Sequence, residues 1–218
     1  MRQLSCDALL FDLDGVLIDS TSCITRHWGA WAARHGLDLA AVMQAAHGIR
    51  TVETMRLVAP HLDLEAEAAR FTAGEIADTD GAVVIEGAPE LLAGLPEDSW
   101  AVVTSGSAEL AIARLRRAGL PVPFTLVTAG DVQRGKPAPD PYLLGAERLG
   151  LPVDNCVAVE DSPAGIQSAR AAGMRVIGIA TTHAREELVR STVVVDRLLA
   201  LRVAEEIGKG HRLEIQLG

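Results

Sequence analysis

The 218-residue sequence is short of the features that define several large protein classes. It has three cysteines, Cys6, Cys23 and Cys156. Their number is odd, their spacings are long and no Cys-X-X-Cys occurs, which argues against a disulfide framework or a structural zinc site and for small packed thiols in a reducing cytoplasm. Basic residues are outnumbered, 20 Lys and Arg against 29 Asp and Glu, for a net charge of −9. Without a basic surplus to displace counterions, no nucleic-acid partner is expected. A phosphorylated small molecule stays open, because one local cluster of cations can dominate one pocket. No uninterrupted apolar run approaches ~18 residues, so no membrane span is expected. Met1–Ser5 is too short for a secretory apolar segment and is followed at once by Asp7, Asp12 and Asp14, so neither a signal peptide nor a lipoprotein signal ending at Cys6 is read. Internal repeats and low-complexity linkers are also missing.

What is present is a globular composition, 49% apolar, and a length suited to one large domain or one domain with an insertion. Short apolar runs at Ala8–Phe11, Trp100–Val103, Thr125–Val127, Cys156–Val159 and Val176–Ile179 read as strands. Their continuous apolarity suits burial on both faces, as in a parallel sheet. Ala108–Ala118, Pro141–Leu149 and Pro163–Ala172 read as crossover helices, stopped by Gly119, Gly150 and Gly173. The series predicts an α/β, doubly wound parallel sheet of Rossmann-like type. It is interrupted between Ile18 and about Val84 by helical patterns at Ser20–His35 and Asp63–Thr79. The expected organisation is therefore a core of 1–17 and 84–218 with a small helical unit, 18–83, inserted after the first strand.

The chemistry-bearing residues fall at strand ends. Asp12-Leu13-Asp14-Gly15 places two carboxylates at i and i+2, on the same side of a strand's carboxyl end, where ligands of open α/β sheets bind. Close carboxylates repel and invite a cation, and their hard oxygens suit Mg²⁺. Thr104-Ser105-Gly106-Ser107 offers hydroxyls and N–H groups at a helix start, an anion site or a plain N-cap. Lys136, between Gly135 and Pro137, is a phosphate contact or a solvated surface charge. Glu160-Asp161-Ser162-Pro163 is a second acidic pair or a helix cap. Each has an ordinary structural alternative. Taken together, they supply a nucleophile, a metal site and phosphate clamps, the parts needed for phosphoryl transfer.

In DLDG, VVTSG, the Lys136 loop and VEDSPAGIQSARAAGM the chain resembles the haloacid dehalogenase-like hydrolase superfamily. HGIRTVETM and AGDVQRGKPAPDPYLLG are similar to segments of its glycerol-phosphate and 2-deoxyglucose-6-phosphate phosphatases, and more distantly of its β-phosphoglucomutases. The resemblance reaches about Thr182; His183–Gly218 carries no recognised motif. It implies a Mg²⁺-dependent phosphatase acting on a small phosphorylated metabolite, a sugar or polyol phosphate; the sequence does not fix the oligomeric state, and a monomer or weak homo-oligomer is expected. It further implies Asp12 as nucleophile and Asp14 as acid and base. Mg²⁺ would be held by the Asp12 carboxylate, the Asp14 carbonyl and Asp161, with Glu160 acting through a metal-bound water. Thr104, Ser105 and Lys136 would hold the phosphoryl group. The insertion resembles the family's helical cap, with His47-Gly48-Ile49-Arg50-Thr51 as its contact loop and His47 and Arg50 as substrate contacts. β-Phosphoglucomutases resemble that loop with lysine at the position of His47, which favours hydrolysis over the alternative, a phosphomutase. A non-enzymatic binding module would be marked by loss of Asp12, Asp14, Lys136 or Asp161, and all four are present.

Overall fold

The computed structural model describes residues 2–206 and 212–217; of the expected core range, residues 1, 207–211 and 218 lie outside the described residues. In chain order the elements begin with strands β1 (Arg2–Cys6), β2 (Ala8–Phe11) and β3 (Ile18–Asp19). Helices α1 (Thr21–His35), α2 (Leu39–Ala46), α3 (Thr51–Val58) and α4 (Leu64–Ala77) follow. The chain continues with β4 (Val83–Val84), α5 (Ala88–Ala93), β5 (Trp100–Val103), α6 (Ala108–Arg117), β6 (Thr125–Val127) and α7 (Asp140–Leu149). It closes with β7 (Cys156–Glu160), α8 (Pro163–Ala171), β8 (Arg175–Ile179), β9 (Val193–Val195), β10 (Leu201–Glu206) and β11 (Arg212–Leu217).

The main sheet is six-stranded in the order β6-β5-β2-β7-β8-β9, with every neighbouring pair parallel. Successive side chains of a strand face opposite sides. Leu9, Phe11, Val102, Val157 and Val159 therefore pack on one side with Leu91 and Leu92 of α5 and Leu115 of α6. Leu10, Val103, Ala158 and Val176 pack on the other with Tyr142 of α7 and Ile166 of α8. The doubly wound α/β architecture expected from the apolar runs is thus the one found. β2 sits mid-sheet, with the chain proceeding from it to β5 on one side and returning to β7 on the other. This reversal opens a crevice at the strands' carboxyl ends.

Four helices, α1–α4, leave the core through β3 and return through β4. These two strands pair antiparallel, Ile18 with Val84 and Asp19 with Val83. The helices bury a cluster of their own built on Trp28, Trp31, Val42, Met55 and Phe71. Among the described residues no helix is long and apolar enough to cross a membrane.

The chain's two ends hold what the apolar runs did not predict. β1, β11 and β10 form a separate three-stranded antiparallel sheet in that order. Leu213 and Ile215 of β11 are fully buried in the core cluster that contains Leu9 and Phe11. The segment without a sequence motif is thus part of the core. Ile215→Ala should cost about 2–5 kcal/mol, the usual range for emptying a buried aliphatic site, read as a lower urea midpoint with an unchanged slope. A change within 0.5 kcal/mol or so, typical of surface positions, would detach this strand from the core.

Candidate active site

Strand register builds the site. Phe11 pairs with Val102 of β5 and Val159 of β7, so the residues that follow in each strand emerge side by side. Asp12, Thr104, Glu160 and Asp161 stand together at that edge, all buried. Lys136 comes from the loop before α7 and is only 1% exposed, so it is no surface charge. Its Nζ donates to Asp12 Oδ1 at 2.8 Å, to the Val103 carbonyl at 3.0 Å and to Glu160 Oε1 at 2.6 Å. An ammonium carries three protons, and all three are used.

Glu160 is fully committed. Its Oε1 also accepts from the Tyr142 hydroxyl at 2.7 Å, and its Oε2 accepts from the Asp161 and Ser162 N–H groups and the Ser162 hydroxyl. Gly165, in the first turn of α8, makes room for it, since a Cβ there would collide with the Glu160 carboxylate. Ser162 also caps α8, accepting from the Gly165 N–H at 3.1 Å. Capping and site-building are therefore two uses of one segment. In the Thr104 loop the two are divided: Ser107 caps α6 through the Leu110 N–H, while the Ser105 hydroxyl donates to the Gly48 carbonyl at 2.9 Å.

Asp12 and Glu160 share one ammonium, and Asp161 stands as a third carboxylate beside them, one oxygen of each lying within 4.8 Å of the others. Burial raises the Asp12 pKa to about 7, with Glu160 and Asp14 adding to the rise and Lys136 opposing it. Burial, then Asp12 and Glu160, hold Asp161 well above the usual carboxylate range. Burial works against the charge of Lys136, yet Asp12 and Glu160 outweigh it and hold the ammonium above the usual lysine range. Besides burial, which comes first for Asp12 and Asp161, all three groups feel an excess of negative charge that a further cation would relieve. The donor set, all carboxylate oxygen, fits a hard divalent ion such as Mg²⁺. With Glu160 saturated, Asp12 and Asp161 are the residues with oxygens to offer.

A cavity of about 260 Å³ opens over this edge, beneath the inserted helices. Asp14 lines it, its Oδ1 accepting from Ser20 Oγ at 2.6 Å and its Oδ2 from Arg114 Nη1 at 2.8 Å. Arg114 Nη2 reaches on to Glu75 of α4 at 2.8 Å. The loop between α2 and α3 lies directly on the core. Gly48 has φ +76°, and a Cβ there would collide with the Ser162 side chain. His47 lines the cavity, its ring edge against His183, with centroids 4.8 Å apart.

Arg50 is placed elsewhere than expected. Its guanidinium is taken up by Glu53 and by the carbonyls of Val132 (3.3 Å) and Gln133 (3.0 Å), and it does not line the cavity. It therefore ties the inserted unit to the loop that carries Lys136. Arg114, Glu75, Tyr142, Thr182 and His183 were missed in the sequence. Arg114 left a readable signal: it is a charged residue on the same helix face as Leu110, Ala111 and Leu115. Thr182, whose hydroxyl donates to Asp161 Oδ2, and His183 left none.

A family model for haloacid dehalogenase-like hydrolases matches residues 6–173, which include every residue of this edge. The chain belongs to the haloacid dehalogenase-like hydrolase family. This hydrolase is 45% identical to hexitol phosphatase A of Escherichia coli (strain K12) over 81% of its own length and 84% of the relative's. It is 37% identical to glycerol-1-phosphate phosphohydrolase 2 of Saccharomyces cerevisiae over 82% and 76% of the two chains. A crystal structure of a hydrolase from Pseudomonas syringae superposes with a TM-score of 0.75 at 25% identity, covering 88% of this chain and 94% of that one.

The charge excess has a measurable sign. The folded Asp12 keeps its proton up to about pH 7, against 3.8 for the ordinary carboxyl. Between these values the folded state binds more protons than the unfolded, so stability falls as pH rises. Relative to Asp12→Asn, metal-free wild type should lose melting temperature steadily from about pH 4 to 7. Mg²⁺ should restore it and release protons, seen by calorimetry in two buffers. A difference independent of pH would contradict the raised Asp12 pKa.

Proposed function

We propose that this hydrolase is a Mg²⁺-dependent phosphatase of small sugar or polyol phosphates that works through a phosphorylated Asp12. The observation that carries the reading is the arrangement at Asp12. Only Oδ1 of this carboxylate accepts a hydrogen bond among the described residues, from Lys136, and the residue lines the cavity. Its second oxygen is thus available to a substrate, while the first is fixed by a cation that cannot act as a base.

The steps follow from the positions of the side chains. The Thr104 hydroxyl and the Ser105 N–H hold the phosphoryl oxygens, while the charge of Lys136, whose three protons are already placed, offsets theirs. An Asp12 oxygen attacks phosphorus as the ester P–O bond breaks, and Asp14 gives its proton to the departing alcohol oxygen. Water then attacks the acyl phosphate; Asp14 takes the water's proton and Asp12 is released with inorganic phosphate. Mg²⁺, held by Asp12, the Asp14 carbonyl and Asp161, would supply charge neutralisation at the phosphoryl group. Glu160 orients Lys136 and the N–H groups of residues 161 and 162.

Residues 18–83 act as a cap over a core of 1–17 and 84–218, excluding water when seated. His47, with His183 beside it, contacts the leaving group; Arg50 works as a latch. The names of the two relatives, a hexitol phosphatase and a glycerol-1-phosphate phosphohydrolase, favour a polyol phosphate. So do the polar groups His47 and Thr51 around the cavity.

Phosphate release should be measured with hexitol phosphates, glycerol 1-phosphate and 2-deoxyglucose 6-phosphate, with and without Mg²⁺. Free phosphate should form from at least one, and chelator should abolish it. Lys136→Ala should lose roughly 10²–10³ in kcat, the cost of removing one preorganised charge-stabilising donor. Full activity in chelator, or isomerised product without free phosphate, would overturn the reading.

A further inference from the structure

Arg114 lies on the core helix α6 yet is only 2% exposed, and Glu75, on α4 of the inserted unit, is 4% exposed. One arginine fork spans the two: Nη1 donates to Asp14 Oδ2 and Nη2 to Glu75 Oε1, both at 2.8 Å. The other Asp14 oxygen is held by Ser20, the residue that opens α1. Of the other guanidinium donors, the Nε N–H is buried without a partner. A buried cation with one donor already unmet is stabilised only while both its acceptors stay in place. Withdrawal of the inserted helices would remove Glu75 and release the fork that aims Asp14.

We infer that Arg114 is a positioning residue for Asp14, and that Glu75 makes this positioning conditional on the inserted helices being seated over the core. The inference rests on the proposed role of Asp14 as the proton donor to the leaving group. Neither Arg114 nor Glu75 gives or takes a proton in the reaction. They fix where the Asp14 carboxyl stands when the alcohol oxygen departs, so their effect depends on how much the leaving group needs that proton.

The test uses the Mg²⁺-loaded enzyme on two esters. One is a hexitol phosphate or glycerol 1-phosphate, whichever is turned over faster; its alkoxide needs protonation. The other is p-nitrophenyl phosphate, whose phenolate leaves unaided. Glu75→Gln and Arg114→Met should each lower kcat on the polyol ester by about tenfold or more. KM, and kcat on the nitrophenyl ester, should stay within about threefold. The double variant Arg114→Met/Glu75→Leu should be no worse than Arg114→Met, since the two residues act as one unit. It leaves no lone buried charge, so it carries the test if a single variant fails to fold. Equal losses on both esters, a loss confined to KM, or additive losses would overturn the inference. Asp14→Asn is run in parallel. If it discriminates between the esters and the pair variants do not, the inference alone falls. If Asp14→Asn does not discriminate either, the assigned role of Asp14 falls with it.

Discussion

The Lys136 ammonium is shared between Asp12 and Glu160, at 2.8 and 2.6 Å, in a place with little exposure to solvent. Much of the core is arranged around that contact. Breaking such a pair by removing one partner leaves an uncompensated buried charge, a cost of about 3–5 kcal/mol. The surrounding structure supplies what a buried pair needs: a carbonyl for the third lysine proton, a tyrosine hydroxyl and two N–H groups for Glu160, and a glycine where a side chain would displace it. One cation among three carboxylates leaves the site electrically incomplete. That incompleteness suits a centre that takes up a metal ion and moves a phosphoryl group, and it makes little sense as a stabilising device.

The fold contributes by setting levels. In a parallel sheet the registers of β5, β2 and β7 decide which residues share an edge, and here they bring Asp12 level with Val103 and Glu160, with Thr104 and Asp161 one residue beyond. Lys136 and the loop of the inserted unit approach that edge from outside. The inserted helices meet the core through several polar contacts: Gly48 with Ser105, Arg50 with the Val132 and Gln133 carbonyls, and Glu75 with Arg114. Polar contacts of this kind can be made and released with less cost than a large apolar interface, which is compatible with the cap role proposed for this unit.

The parts of this arrangement legible in the sequence share one property: their signal is local. Continuous apolar runs gave the five strands around the site, and carboxylates directly after such runs gave Asp12, Asp14 and Asp161. β1, β10 and β11 were not legible, because β1 pairs β11 across two hundred residues and short mixed strands carry no pattern until paired. The partners of Arg50 were not legible for a related reason. A guanidinium next to a contact loop reads as a ligand contact, whereas its acceptors, two carbonyls and Glu53, emerge only from tertiary structure. Arg114 lay between these cases, since its position on an apolar helix face was visible but its two partners were not.

The central claim is that Asp12 carries the phosphoryl group, and a direct measurement is the mass of the enzyme quenched in acid within milliseconds of mixing with Mg²⁺ and a phosphate monoester. The account predicts one added phosphoryl group, mapped by fragmentation to Asp12, which disappears as free phosphate accumulates and does not form in Asp12→Asn. A phosphoryl group on any other residue, or Asp12→Asn turning over at the wild-type rate, would contradict it.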